Sequence, residues 1–400
     1  MPRFSIVIPT RNRPDLAAAA LASVAWQDEE DCEIILSDNS TEPASVAQGR
    51  AAAERLKDDR RVRYIRPPAP LEMPDHWEFA TKHAGGDYLL ILTDRFVMRP
   101  GTLAILKRLI EDQPGGPPEI LTWKGEASFT ANGCFVETAY AGRPRVRTTE
   151  DVLQEFASSA QWRSALLGSN SLPRGLNSAV RRAIIEEARS RYGRAYAAVS
   201  PDYTCAFHQL VLARRLVELD FPFYVGHGDA SNGATLLRNG VSRYTDPLGV
   251  DPFEECPLAI DTVMNTTIRD YLWVKRTTGA DMPPIDMVGY LLINYRELQI
   301  KREVGSPLDV AGMRRAILAA AAALAPAEQA AFADGQAIID SLETPAYRLR
   351  NWLAKTGALE PVKTIARRLR LYDRPRGPRY PDVLAAAQAV PLRPPAGSMA

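Results

Sequence analysis

Three clusters of polar side chains, each directly behind an apolar run, are where this chain is equipped for chemistry. Thr10, Arg11, Asn12 and Arg13 follow Phe4–Ile8 and Pro9, Asp38 and Asn39 follow the run from Cys32, and Thr93, Asp94 and Arg95 follow Tyr88–Leu92. Runs rich in Val, Ile and Leu suit central parallel strands covered on both faces. Open α/β sheets bind ligands beyond the carboxyl ends of such strands, so three clusters on parallel strands would gather along one rim. A further carboxylate, Asp202, follows Pro201 and precedes the apolar positions Tyr203, Phe207, Leu210 and Val211. That pattern puts Asp202 at a helix N-terminus, where an acid complementing the macrodipole is also an ordinary finding. His227 lies in the glycine-rich turn Gly226–Asp229.

The elements that must position these groups alternate. Strands are expected at Phe4–Ile8, Cys32–Asp38, Val62–Ile65 and Tyr88–Leu92, with the first ending at Pro9, which cannot donate to a ladder. Helices are expected at Asp15–Gln27, around Ala44–Lys57 and near Asp75–His83. The alternation argues for a mostly parallel sheet flanked by helices. After the linker Gln113–Pro118, residues 119–150 read as strands and loops. Helices are expected over Thr149–Leu167, Asn177–Tyr192 and the Ala-rich stretch Ala311–Ala331, and a flexible tail from about Ala385.

Composition excludes several classes. Apolar residues make up 46% of the 400, enough for a packed core. A net charge of +1 gives no bulk attraction to nucleic acid. Four scattered cysteines without CxxC pairs favour a reducing compartment. The lone pair Cys205 and His208 lacks further ligands at zinc spacing. No apolar run reaches the ~20 residues needed to span a bilayer, so a soluble, cytoplasmic protein is expected.

The stretches FSIVIPTRNRPDLAAAALASVAWQ, EIILSDNST and GDYLLILTDRFVMRPGTL together resemble family 2 glycosyltransferases over roughly residues 4–235, most strongly to about residue 110. The resemblance implies a GT-A fold, a Rossmann-like, mostly parallel sheet with a helical C-terminal extension. It also implies a nucleotide-sugar donor, UDP-linked, with the sugar inverted at its anomeric carbon and passed to a hydroxyl of a surface glycan or lipid-linked glycan. Residues 1–238 would form the donor-binding and catalytic domain, 239–384 a helical C-terminal domain, and 385–400 the tail. Carried over by motif, Pro9, Thr10, Arg11 and Arg13 would line the nucleotide, with Asp38 and Asn39 beside base and ribose. Asp202 would be the base that takes the proton of the attacking hydroxyl, and His227 would lie over the phosphates.

The acidic motif departs from the family. Where Asp-x-Asp holds a divalent cation, this chain has Thr93-Asp94-Arg95. Either Asp94 still binds Mg2+ or Mn2+ with help from the diphosphate, water and His227, or Arg95 takes over part of the cation's charge by binding phosphate directly. A plain surface pair of Arg95 with Asp94 is the third reading. Two other functions compete with transfer: a donor-binding scaffold that has lost catalysis, and a nucleotidyltransferase, whose Gly-rich first loop has no counterpart in Thr10–Pro14.

Residues 345–380 carry ten Lys or Arg against two acids. Val362, Ile365, Ala366, Leu369 and Tyr372 would form one stripe of a helix, with Lys363, Arg367 and Arg370 beside it. Such a face suits peripheral contact with anionic lipid on the inner side of a cell membrane, or a solvated helix packed on the catalytic domain. Interleaved aromatics for nucleic acid are missing.

Overall fold

The computed structural model describes residues 2–390 and 392, except 114, 124–126, 131, 138–139, 141–142, 164–171, 228–231, 344–348, 350–351 and 354–376. Twelve strands are present among them: β1 Phe4–Thr10, β2 Cys32–Asp38, β3 Val62–Ile65, β4 Tyr88–Ile91, β5 Phe96–Met98, β6 Ile120–Trp123, β7 Ala127–Phe129, β8 Phe135–Val136, β9 Arg145–Thr148, β10 Ser178–Arg181, β11 Arg215–Leu219 and β12 Tyr224–His227. Eight form one sheet in the order β3-β2-β1-β4-β10-β6-β11-β9. β10 runs antiparallel to both its neighbours and β9 to β11, while the other pairs are parallel, so the sheet is mostly parallel, as the alternation predicted. A second sheet, β5-β12-β7-β8, stands at the rim.

The apolar strand runs are buried on both faces. Val7, Ile35, Leu89 and Ile91 belong to one core, and Ile6, Ile8, Ile34, Leu36 and Leu90 to the other. Helix Pro14–Ala25 begins with Pro in its first turn, where the missing N–H costs nothing, and covers the second face together with helix Thr102–Glu111.

Several sequence expectations need correction. β1 runs through Pro9 to Thr10, with Pro9 opposite Ser37. Asn39 N donates to Thr10 O on the β2 side and Leu92 N to Val7 O on the β4 side. By the strand's alternation, Pro9 shares Val7's edge, where pairing with β4 has already ended, so its missing donor breaks no ladder. The helix expected from Asn177 is instead strand β10 followed by helix Arg182–Tyr192, because Ser178–Arg181 fills the gap between β4 and β6. The helix from Thr149 ends at Ala157. The Ala-rich stretch divides into Val310–Ala322 and Pro326–Ser341, broken ahead of Pro326.

The boundary at 238 does not separate two cores. Trp77, Phe207, Tyr271, Tyr290 and Leu298 belong to one cluster. Nor does the chain loosen at Ala385: Val383–Ala389 is a helix whose Val383, Ala386 and Ala387 bury against Val97, Phe135 and Val225. The basic segment 345–380 falls largely outside the described residues. Among the described residues no helix is long and apolar enough to cross a membrane.

Candidate functional site

The sheet supplies its own crevice. From β1 the chain winds outward through β2 to β3, then returns to place β4 on β1's other side, so the order reverses between β1 and β4. Ligands of open α/β sheets sit at such a reversal, beyond the carboxyl ends of the strands. Thr10 ends β1 there, and Asp94 follows β4. Thr10 Oγ1 donates to Asp94 Oδ2 at 2.9 Å, and Arg13 Nη1 lies 3.5 Å from Asp94 Oδ1. Asp94 is 7% exposed, and burial raises its carboxyl above the ordinary range, opposed by Arg13, the Thr10 hydroxyl and Arg95.

Arg95 is held by the second sheet. β5 pairs antiparallel with β12, and His227 N donates to Arg95 O at 2.9 Å. The Arg95 guanidinium stands 4.0 Å from the Phe96 ring centroid. His227 is half-buried at the end of β12. Its Nε2 makes no hydrogen bond among the described residues, and burial lowers its pKa. Thr93 Oγ1 is likewise buried without a hydrogen bond among those residues.

Asp202 occupies the first turn of helix Pro201–Leu212, as the Pro-Asp pattern predicted. Burial raises its carboxyl, while Arg174, the N–H groups of Asp202 and Tyr203, and Arg95 act in the opposite direction. Arg174 Nη1 reaches Tyr203 OH at 3.4 Å, and its guanidinium lies 5.5 Å from that ring's centroid. Ile91 N donates to Gly175 O at 3.2 Å, which ties the Arg174 segment to the end of β4. Arg95 thus lowers the carboxyls of both Asp94 and Asp202 against the burial that raises them.

Other expected residues are engaged within the protein. Asp38 is fully buried; its Oδ1 accepts from Ser40 N at 2.8 Å, and its Oδ2 from Tyr64 OH at 2.7 Å and Arg66 Nη1 at 3.0 Å. Asn39 spends both ends of its amide on Leu71, donating to Leu71 O at 2.7 Å and accepting from Leu71 N at 2.9 Å. Arg11 turns outward, 3.3 Å from Leu71 O and 4.0 Å from Glu72. Pro9 and Thr10 remain at the strand end beside them.

Sequence reasoning missed the supports of this site. Asp270, on helix Val263–Thr278, accepts from Val199 N at 3.1 Å and Ser200 N at 3.0 Å, fixing the turn that carries Asp202. Arg269 pairs with Asp270 at 3.2 Å and donates to Ala198 O at 2.9 Å. No spacing in the sequence links Asp270 to that turn. Arg174 stands in the segment Gly168–Gly175, of which 168–171 lie outside the described residues. His208 is bonded through Nδ1 to Ala195 O and stacked on Tyr192.

The donor set does not suit a hard divalent cation. Such ions take several oxygens. Here Asp94 already serves Thr10 and Arg13, its neighbour is a guanidinium, and among the described residues no three His, Cys, Asp or Glu gather into a metal site.

Residues 5–116 match the family model described as glycosyl transferase family 2. A Campylobacter jejuni protein named GalNAc(5)-diNAcBac-PP-undecaprenol beta-1,3-glucosyltransferase is 32% identical over 109 residues, which are 26% of this chain and 34% of that protein. The match thus spans about a third of that relative's length. Among solved structures, S. aureus TarS 1–349 in complex with UDP-GlcNAc is similar over 85% of this chain and 91% of its own, at 14% identity and a TM-score of 0.46. The mannosyltransferase PcManGT of Pyrobaculum calidifontis, solved with GDP-Man and Mn2+, is similar over 88% of each chain, at 14% identity and a TM-score of 0.43.

Proposed function

We propose that this chain, which belongs to glycosyl transferase family 2 through its residues 5–116, transfers a sugar from a nucleotide-diphosphate donor to an acceptor hydroxyl with inversion. The donor we favour is UDP-linked. The observation that carries the reading is Asp94, bonded to Thr10 and Arg13 at the reversal between β1 and β4, together with Asp202 at a helix N-terminus under the influence of Arg95, which also acts on Asp94.

In the reaction the acceptor oxygen attacks the anomeric carbon as its proton passes to the Asp202 carboxylate. The bond from that carbon to the diphosphate breaks, and the nucleoside diphosphate leaves with the electron pair. A base of this kind works best when its pKa approaches the operating pH, and the burial that raises Asp202 acts in that direction. Pro9, Thr10, Asp38 and Asn39 frame the nucleoside end of the crevice; Asp38 does so through Tyr64 and Arg66, which it holds. Arg13 and Arg95 face the phosphates, with Thr93 and His227 beside them.

The acceptor we favour is a lipid-linked glycan. The relative's name places its own acceptor on undecaprenol diphosphate, which supports catalysis at the inner face of a membrane, with segment 345–380 as the peripheral contact. The test is transfer from UDP-sugars to polyprenol-diphosphate glycans, followed by chromatography. Asp202→Asn should cut kcat by about 10²–10⁴ while nucleotide binding persists. Transfer by the variant at the parental rate would refute Asp202 as base, and donor binding by the parent with no turnover would favour a binding protein of the same fold.

A further inference from the structure

Three arginines from separate segments act on Asp94 and Asp202, where the family ordinarily gathers carboxylates around a metal. Arg13 follows β1 and lies 3.5 Å from Asp94. Arg95 follows β4 and is fixed by the backbone bond of its carbonyl to His227 N and by its place 4.0 Å from the Phe96 ring. Arg174 comes from a segment tied to β4 through Ile91 N and Gly175 O at 3.2 Å, and its guanidinium rests against Tyr203, the residue after Asp202.

We propose that Arg13, Arg95 and Arg174, in place of a divalent cation, neutralise the diphosphate of the donor and of the departing nucleoside diphosphate. The inference rests on the donor reading above and specifies how that site handles charge. A guanidinium presents paired N–H donors that match two phosphate oxygens at once, and it keeps its charge at every physiological pH. Asp94 then has a different task from its counterpart in the family. With Oδ2 on the Thr10 hydroxyl and Oδ1 toward Arg13, it orients a cation and holds no metal of its own. An added divalent ion at Asp94 would have to displace Arg13 and sit against Arg95. The desolvation that raises Asp94 and Asp202 would equally strengthen guanidinium–phosphate contacts made beside them.

The experiment is calorimetric titration of the full chain with UDP after EDTA treatment, repeated in excess Mg2+ and in excess Mn2+. UDP affinity should agree within about threefold across the three conditions. Arg95→Ala and Arg174→Ala should each weaken UDP by about tenfold or more, with Arg95→Lys intermediate because one ammonium replaces a bidentate fork. Far-UV circular dichroism and thermal melts identify variants that have lost their fold, and Arg95→Lys keeps the test intact if Arg95→Ala does not fold. Binding that vanishes in EDTA and returns with Mn2+ overturns this inference and leaves the transferase reading standing. So does parental affinity in folded Arg95 variants. Failure to bind UDP, GDP or TDP under every condition overturns both.

Discussion

Removing the Asp270 carboxylate should loosen the turn that presents Asp202, although Asp270 touches neither candidate substrate nor base. Asp270 is fully buried on helix Val263–Thr278 and accepts from two consecutive backbone N–H groups and from Arg269. Hydrogen bonds to a charged group contribute about 1.5–3 kcal/mol each. Breaking a buried ion pair by deleting one partner costs about 3–5 kcal/mol. Arg269 keeps two other partners, Ala198 O and Glu254, so Asp270→Ala should fall at the low end, about 3 kcal/mol. Asp270→Asn retains one acceptor oxygen and should cost roughly half of that. Urea titrations with unchanged m give the loss directly. Exchange of the Val199 and Ser200 amides, followed by mass spectrometry of the peptide spanning them, should accelerate far more than exchange in β1. Burial also raises the Asp270 carboxyl to about 7. The native state then binds this proton more tightly than the unfolded chain, so its contribution to stability declines as pH rises from about 4 to 7. The Asn variant should show a shallower decline over that interval. A loss below about 1 kcal/mol in Asp270→Ala, or unchanged exchange at Val199 and Ser200, would refute the claim that this carboxylate fixes the turn.

Gly86→Ala should destabilise the fold by about 1–3 kcal/mol in urea, because a Cβ there would lie 2.8 Å from Phe4 C and Ser5 N of β1; parental stability would show that β1 and this turn can separate freely. Thr10→Val should cost about 1–3 kcal/mol at neutral pH by stripping Asp94 Oδ2 of its hydroxyl donor, an effect absent if the carboxylate is satisfied elsewhere. Arg174→Ala should move the acidic limb of the kcat profile to higher pH, since its cation lowers the Asp202 carboxyl that burial raises; a stationary limb would separate Arg174 from the base.

What the sequence revealed and what it withheld divide along contact range. β1, β2 and β4 were legible because burial on both faces demands a predominantly apolar run, and such a run needs no partner to be recognised. The N-terminal placement of Asp202 was legible for a similar reason, since Pro201 and the apolar period behind it are local signals. Strand β10 was not, because Ser178–Arg181 reads equally well as the start of the helix that follows. Only the opening between β4 and β6 makes it extended. The substitution of Arg95 for an expected carboxylate was visible at once, yet its meaning depends on long-range closure. The β5–β12 pairing and the Ile91–Gly175 bond bring Arg95 and Arg174 to the rim where Asp94 and Asp202 stand. A lone arginine in a motif suggests a lost metal ligand. Three arginines delivered by separate segments to the same two acids suggest a replaced metal, and that distinction exists only in three dimensions.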